Sequence, residues 1–174
     1  MRKTNTYYSL KKSFSFAFQG IYYALKNERN LRIHFSVMLY VLYFAVRYYN
    51  FSNAEYALLL LVVGLVITCE MFNTAIEKTV DMESPVFNPL AKIAKDVAAG
   101  AVLISSITSV IVSFLLFWDI ERFKIIINDI LGFWFLWLPV LVLNIIFIIW
   151  PHRKSCLSHV NNKKNSALKS NFKK

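Results

Sequence analysis

The chain has 174 residues, 57% of them hydrophobic, with a mean hydropathy of +0.47 and a formal net charge of +10. A soluble chain of this length has too little interior to hide that much apolar surface, so the composition points to a membrane protein. The charge could suggest nucleic acid, but its distribution argues against that class. Seven Lys/Arg lie in residues 1–32, three in 78–96 and seven after Pro151, against one in 47–55 and two beside three acids in 119–130. This alternation is the positive-inside pattern with both termini cytoplasmic.

In chain order, residues 7–25 read as an amphipathic helix on the membrane surface. Leu10, Phe14, Phe18, Ile21 and Leu25 recur at helical spacing, while Lys12, Ser15, Gln19 and Lys26 share a polar face. No compact apolar core with a small-residue cleavage site occurs in the first thirty residues, so no cleavable signal peptide is expected. A polar cluster, "NERNLRIH", leads into the first of four apolar stretches, residues 33–49, 56–76, 97–118 and 131–150. Each approaches the ~20 residues needed to cross ~30 Å of hydrocarbon. "SNAE", residues 52–55, has the form of a capping box opening the second span, and Asn88-Pro89 suits the cap and first position of the third helix. The run "AAGA" at 98–101 marks close helix packing.

The expected fold is thus an all-α integral membrane bundle. Residues 1–32 supply a cytoplasmic surface helix and polar cluster, and 33–118 a three-span core. Residues 119–150 supply a loop and an extra transmembrane helix, and 151–174 a basic tail expected to be disordered. Cys69 and Cys156 have no ligand spacing around them and read as free thiols.

The second span ends in "CEMFNTAIEKTVD". At ~100° per residue, Asn73, Glu77 and Asp81 fall near 300°, 340° and 20° from Glu70, one stripe about 80° wide. Ionisable groups inside a span are costly and mark a site or path. Packing against neighbouring bases would explain one acid. Three carboxylates and a carboxamide, with three bases in the adjoining loop, fit a metal–phosphate site better. Lys95 and Asp96 open the next helix at the same depth, and Glu28 stands at that face. Together these are the parts of phosphoryl transfer. The four glycines are scattered and form no Walker A or dinucleotide fingerprint.

"ERNLRIH", "EMFNTAIEKTVD" and "PLAKIAKDVAAGAVL" together resemble the prokaryotic integral-membrane diacylglycerol kinase family, over about Lys12 to Phe117. The Glu28-Arg29-Asn30…His34 form is closer to its Gram-positive undecaprenol kinase branch. The resemblance implies a homotrimeric lipid kinase in the bacterial plasma membrane. Its site would face the cytoplasm, with Mg²⁺ as cofactor and ATP as co-substrate. It implies Glu70 as general base on the lipid hydroxyl and Glu28 and Glu77 as magnesium and ATP ligands. Val86, Phe87, Asn88, Lys95 and Asp96 would be nucleotide contacts, and Asn73 and Asp81 supports. Phe16, Arg32, Glu70 and Ala99 would contact the lipid. Ser9 stands where relatives carry a substrate-contacting arginine, and Phe16 where tyrosine is common. The acceptor stays open between undecaprenol and diacylglycerol. A small proton or ion carrier using the same acids is the alternative, although carriers usually place such groups near the midplane between repeats. No implied site residue lies beyond Ala99, so the fourth span and tail are expected to be peripheral.

Overall fold

In the computed structural model, residues 10–83 and 88–150 are described; Ser9, Val86, Phe87, Cys156 and the basic tail lie outside them. Six helices run in order: α1 Leu10–Asn27, α2 Arg29–Tyr48, α3 Asn53–Glu83, α4 Pro89–Phe117, α5 Ile120–Gly132 and α6 Trp134–Ile149. The described residues contain no strand, and the all-helical expectation holds.

Local chemistry sets the helix starts. Ser52 and Glu55 form the capping box: the Ser52 amide donates to Glu55 Oε2 at 2.7 Å and the Glu55 amide to Ser52 Oγ at 3.3 Å. Asn88 accepts from the Leu90 amide at 2.9 Å, with Pro89 just inside α4. Between α1 and α2 the chain breaks at Glu28, whose extended backbone (φ −108°, ψ 117°) caps α2.

Among the described residues, α3 and α4 are each long and apolar enough to cross a membrane, with mean hydropathies of 2.1 and 2.3. The 31 residues of α3 rise about 46 Å, well beyond a ~30 Å hydrocarbon core. Its charged residues from Glu70 onward fall in its C-terminal half. The most extensive helix contact is between α3 and α4. A small core of Ala45, Leu59, Val62 and Val63 joins them to α2, with Phe51, Tyr56 and Phe117 packed around it. Ala98 and Ser105 are buried on α4, consistent with close approach at its small-residue face. The apolar stripe of α1, from Leu10 through Phe14 and Phe18 to Ile21, is exposed.

The segment expected as a loop before the fourth span is helical. Asp119 accepts from the amides of Glu121 and Arg122 and so starts α5, whose one apolar face suits an interface rather than a solvated connection. At Phe133 the chain turns by 90° into α6; the two helices meet the measure for a span only as this bent pair. Pro139 lies within α6.

Helix α6 runs antiparallel to α2. Trp137, near its start, stacks on Phe44 (6.0 Å) and meets Tyr43 edge-on, while its end reaches the start of α2. Around the α5 end, Tyr48 Oη donates to Asp129 at 3.1 Å, Arg47 pairs with Asp129 at 3.8 Å, and Arg122 donates to the Tyr48 carbonyl. Removing the α5 cap by Asp119→Ala should cost about 1 kcal/mol of local stability. Hydrogen exchange at the Glu121 and Arg122 amides is then expected to accelerate, with α3 and α4 unchanged.

Candidate active site

The acidic stripe of α3 is positioned by two features already described. The helix is longer than the apolar layer is thick, and the chain breaks at Glu28 directly beside it. Glu70 is only 2% exposed and Asn73 8%, while Glu77 is half-buried and Asp81 exposed. The stripe thus grades from a buried acid to a solvated one over three turns. Thr74 donates its hydroxyl to the Glu70 carbonyl at 3.0 Å, satisfying the backbone locally and leaving the carboxylate free to face α2.

Asn30 of α2 lies near the Glu70 carboxylate, and Glu77 and Glu28 are its nearest acidic neighbours. Asn73 Nδ2 donates to Glu77 Oε1 at 3.4 Å, whereas its buried Oδ1 has no partner among the described residues. Glu28 Oε1 pairs with Lys78 Nζ at 3.0 Å. Three carboxylates from two helices therefore share one neighbourhood, with one lysine among them. Farther along, Lys95 of α4 pairs with Asp81 of α3, so the two helices are tied by charge near the end of α3 and the start of α4.

The predicted residues separate into groups. Glu28, Glu70, Asn73 and Glu77 come together, and Asp81 and Lys95 form the adjoining ion pair. Asp96 and Ala99 are exposed on α4, and Asn88 is engaged as its cap. Val86 and Phe87 lie outside the described residues. Phe16 is exposed on α1. Arg32 differs from what a lipid contact suggests: it is 2% exposed, and its guanidinium donates to backbone carbonyls of α1 and to those at the end of α6.

Two residues of the cluster were not singled out from sequence, Asn30 and Lys78. Both stood inside quoted motifs. Lys78 is eight residues after Glu70, about 80° around the helix and so roughly 60° beyond the edge of the stripe. Asn30 follows the helix break by two residues, and nothing in sequence spacing tells which way such a residue points. Among the described residues, no three His, Cys, Asp or Glu side chains converge closely enough to hold a metal ion unaided.

A helical membrane protein with a buried acid and two further carboxylates at the end of a long span has the architecture of a membrane-embedded lipid-modifying enzyme. Residues 15–117 match the family described as prokaryotic diacylglycerol kinase. The chain is 40% identical over 108 residues to the undecaprenol kinase of Bacillus subtilis (strain 168), covering 61% of this chain and 85% of that one. It is 41% identical over 105 residues to a diacylglycerol kinase of Synechocystis sp., covering 60% of this chain and 59% of the relative. Over 53 residues it is 47% identical to a diacylglycerol kinase of Helicobacter pylori, covering 30% and 41%. The chain belongs to the prokaryotic diacylglycerol kinase family, and with it to the lipid kinases. Every candidate residue from Phe16 to Ala99 falls within the matched segment, whereas α5 and α6 lie beyond it.

Proposed function

We propose that this protein transfers the γ-phosphoryl group of ATP to the hydroxyl of a membrane lipid, undecaprenol or diacylglycerol, at the cytoplasmic face of the bacterial membrane. The observation that carries this reading is Glu70: an acid 2% exposed, beside Asn30 and in the field of Glu77 and Glu28. A lipid hydroxyl resting at the boundary of the apolar layer would give its proton to Glu70 as its oxygen attacks the γ-phosphorus. The bond to the β,γ-bridging oxygen breaks, and ADP leaves.

The donor chemistry of Glu28 and Glu77 fits magnesium, which typically takes one or two carboxylates and fills its remaining positions with phosphate oxygens and water. Such a site needs no third protein ligand, in keeping with the absence of a self-sufficient cage among the described residues. When bound, magnesium supplies charge neutralisation across the phosphates. Lys78, now paired to Glu28, can turn toward phosphate as that carboxylate takes up the ion. Lys95 serves phosphate and Asp96 the nucleotide, with Val86, Phe87 and Asn88 at the base. Asn73 and Asp81 hold Glu77 and Lys95 in place. Phe16 and Ala99 offer apolar contact to the lipid, while Arg32 acts through the backbone groups it holds.

We read the working unit as a homotrimer of multi-pass subunits. A carrier using the same acids is less well supported, because the stripe that begins at Glu70 continues through Glu77 and Asp81 to one end of α3, and no internal repeat frames it. Glu70→Gln should keep the fold and nucleotide binding but lower kcat by about 10²–10⁴-fold, since it removes the proton acceptor while preserving size. Near-normal turnover of a folded Glu70→Gln sample would reject the assignment. Glu28→Ala and Glu77→Ala should each raise the magnesium concentration needed for half-maximal rate and greatly reduce transfer. An unaltered magnesium titration in both variants would exclude the metal role.

A further inference from the structure

The α5–α6 hairpin lies outside the segment shared with the family, yet its C-terminal end returns to the start of α2. The contact there is built on one buried cation. Arg32 Nη1 donates to the carbonyls of Leu25 (3.2 Å) and Lys26 (3.0 Å) at the end of α1. Arg32 Nε and Nη2 donate to the Ile148 carbonyl at 3.4 and 3.2 Å, and Nη2 also to that of Trp150 at 3.3 Å. These carbonyls belong to the C-terminal turns of two helices or directly follow them, where backbone acceptors lack intrahelical partners and the helix dipole is negative. A guanidinium, with five donors in a rigid fork, can serve both helix ends at once, and no other side chain can.

Arg32 also sits one turn after Glu28, whose carbonyl its amide approaches at 3.4 Å. The α1–α2 break that aims Glu28 at Lys78 and toward Glu70 is thus braced on one side by the end of α6. The other end of the hairpin is anchored about 18–24 Å away on α2, through Trp137, Asp129 and Arg122.

We infer that Arg32 is a positioning residue through which the C-terminal hairpin holds the α1–α2 break, and with it Glu28, in working geometry. The hairpin is then part of the catalytic unit rather than a peripheral appendage. The inference rests on the reading of Glu28 as a magnesium–nucleotide ligand.

The test compares full-length wild type with Arg32→Met, Arg32→Lys, Trp137→Ala and the Arg32→Met/Trp137→Ala double variant in lipid nanodiscs. Arg32→Met should raise KM for Mg·ATP about tenfold, the scale of one charge-assisted hydrogen bond lost, with KM for the lipid little changed. Lysine keeps the charge but lacks the fork, so Arg32→Lys should recover little. Trp137→Ala, at the far end of α6, should raise the same KM more modestly, and the double variant should be no worse than Arg32→Met alone. Hydrogen exchange at residues 28–30 should accelerate in Trp137→Ala.

Unchanged KM for Mg·ATP in folded Arg32→Met, a rise confined to KM for the lipid, or additive effects in the double variant would each overturn the inference. If Arg32→Met fails to fold, Arg32→Lys and Trp137→Ala carry the comparison, and an unaltered KM for Mg·ATP in both overturns it. Glu28→Ala, run in parallel, separates the two levels. Faster exchange at residues 28–30 with a normal magnesium response in Glu28→Ala leaves the coupling standing and removes the ligand role. Unaltered exchange with an impaired Glu28→Ala removes the coupling alone.

Discussion

Setting a carboxylate on α3 immediately after Val66, Ile67, Thr68 and Cys69, and burying it, is a cost the surrounding chain must answer. An isolated ionised carboxylate in an apolar medium is strongly disfavoured, so such a group survives only with hydrogen-bond donors, a counter-charge or a proton at hand. Here the answer comes from the break between α1 and α2. Asn30 comes near Glu70, and Lys78 pairs with Glu28 beside it. Without the extended residue at Glu28, α1 and α2 would run on as one helix and Asn30 would be aimed elsewhere. The surface helix, the start of α2 and the acid on α3 are therefore parts of one arrangement.

The same constraint accounts for the length of α3. A span of ordinary length would end near Ile76, leaving Glu77 and Asp81 in a loop. Because the helix continues to Glu83, those residues keep the register of Glu70, and Lys95 on α4 can meet Asp81. The small-residue face of α4 lets the two helices lie close enough for that contact.

Much of this was legible in the sequence, because it is governed by local rules. The stripe of Glu70, Asn73, Glu77 and Asp81 follows from helical periodicity, and the starts of α3 and α4 follow from Ser52, Glu55, Asn88 and Pro89. What escaped depends on distant partners. Helix α5 reads as a loop because its amphipathic run is short and flanked by acids. The roles of Asn30 and Lys78 require knowing how α2 and α3 face each other. Arg32 is the clearest case: its partners at Ile148 and Trp150 lie more than a hundred residues away and are backbone atoms, which carry no sequence signal.

The central claim is that a buried acid at the end of a membrane span activates a lipid hydroxyl toward ATP. Its most direct test is transfer of labelled phosphate from [γ-³²P]ATP by the purified full-length protein, with undecaprenol and diacylglycerol supplied in parallel. The account predicts magnesium-dependent appearance of label in the lipid phase with at least one of the two, and ADP formed in equal amount. Label that never enters either lipid, in a folded protein that binds Mg·ATP, would contradict it.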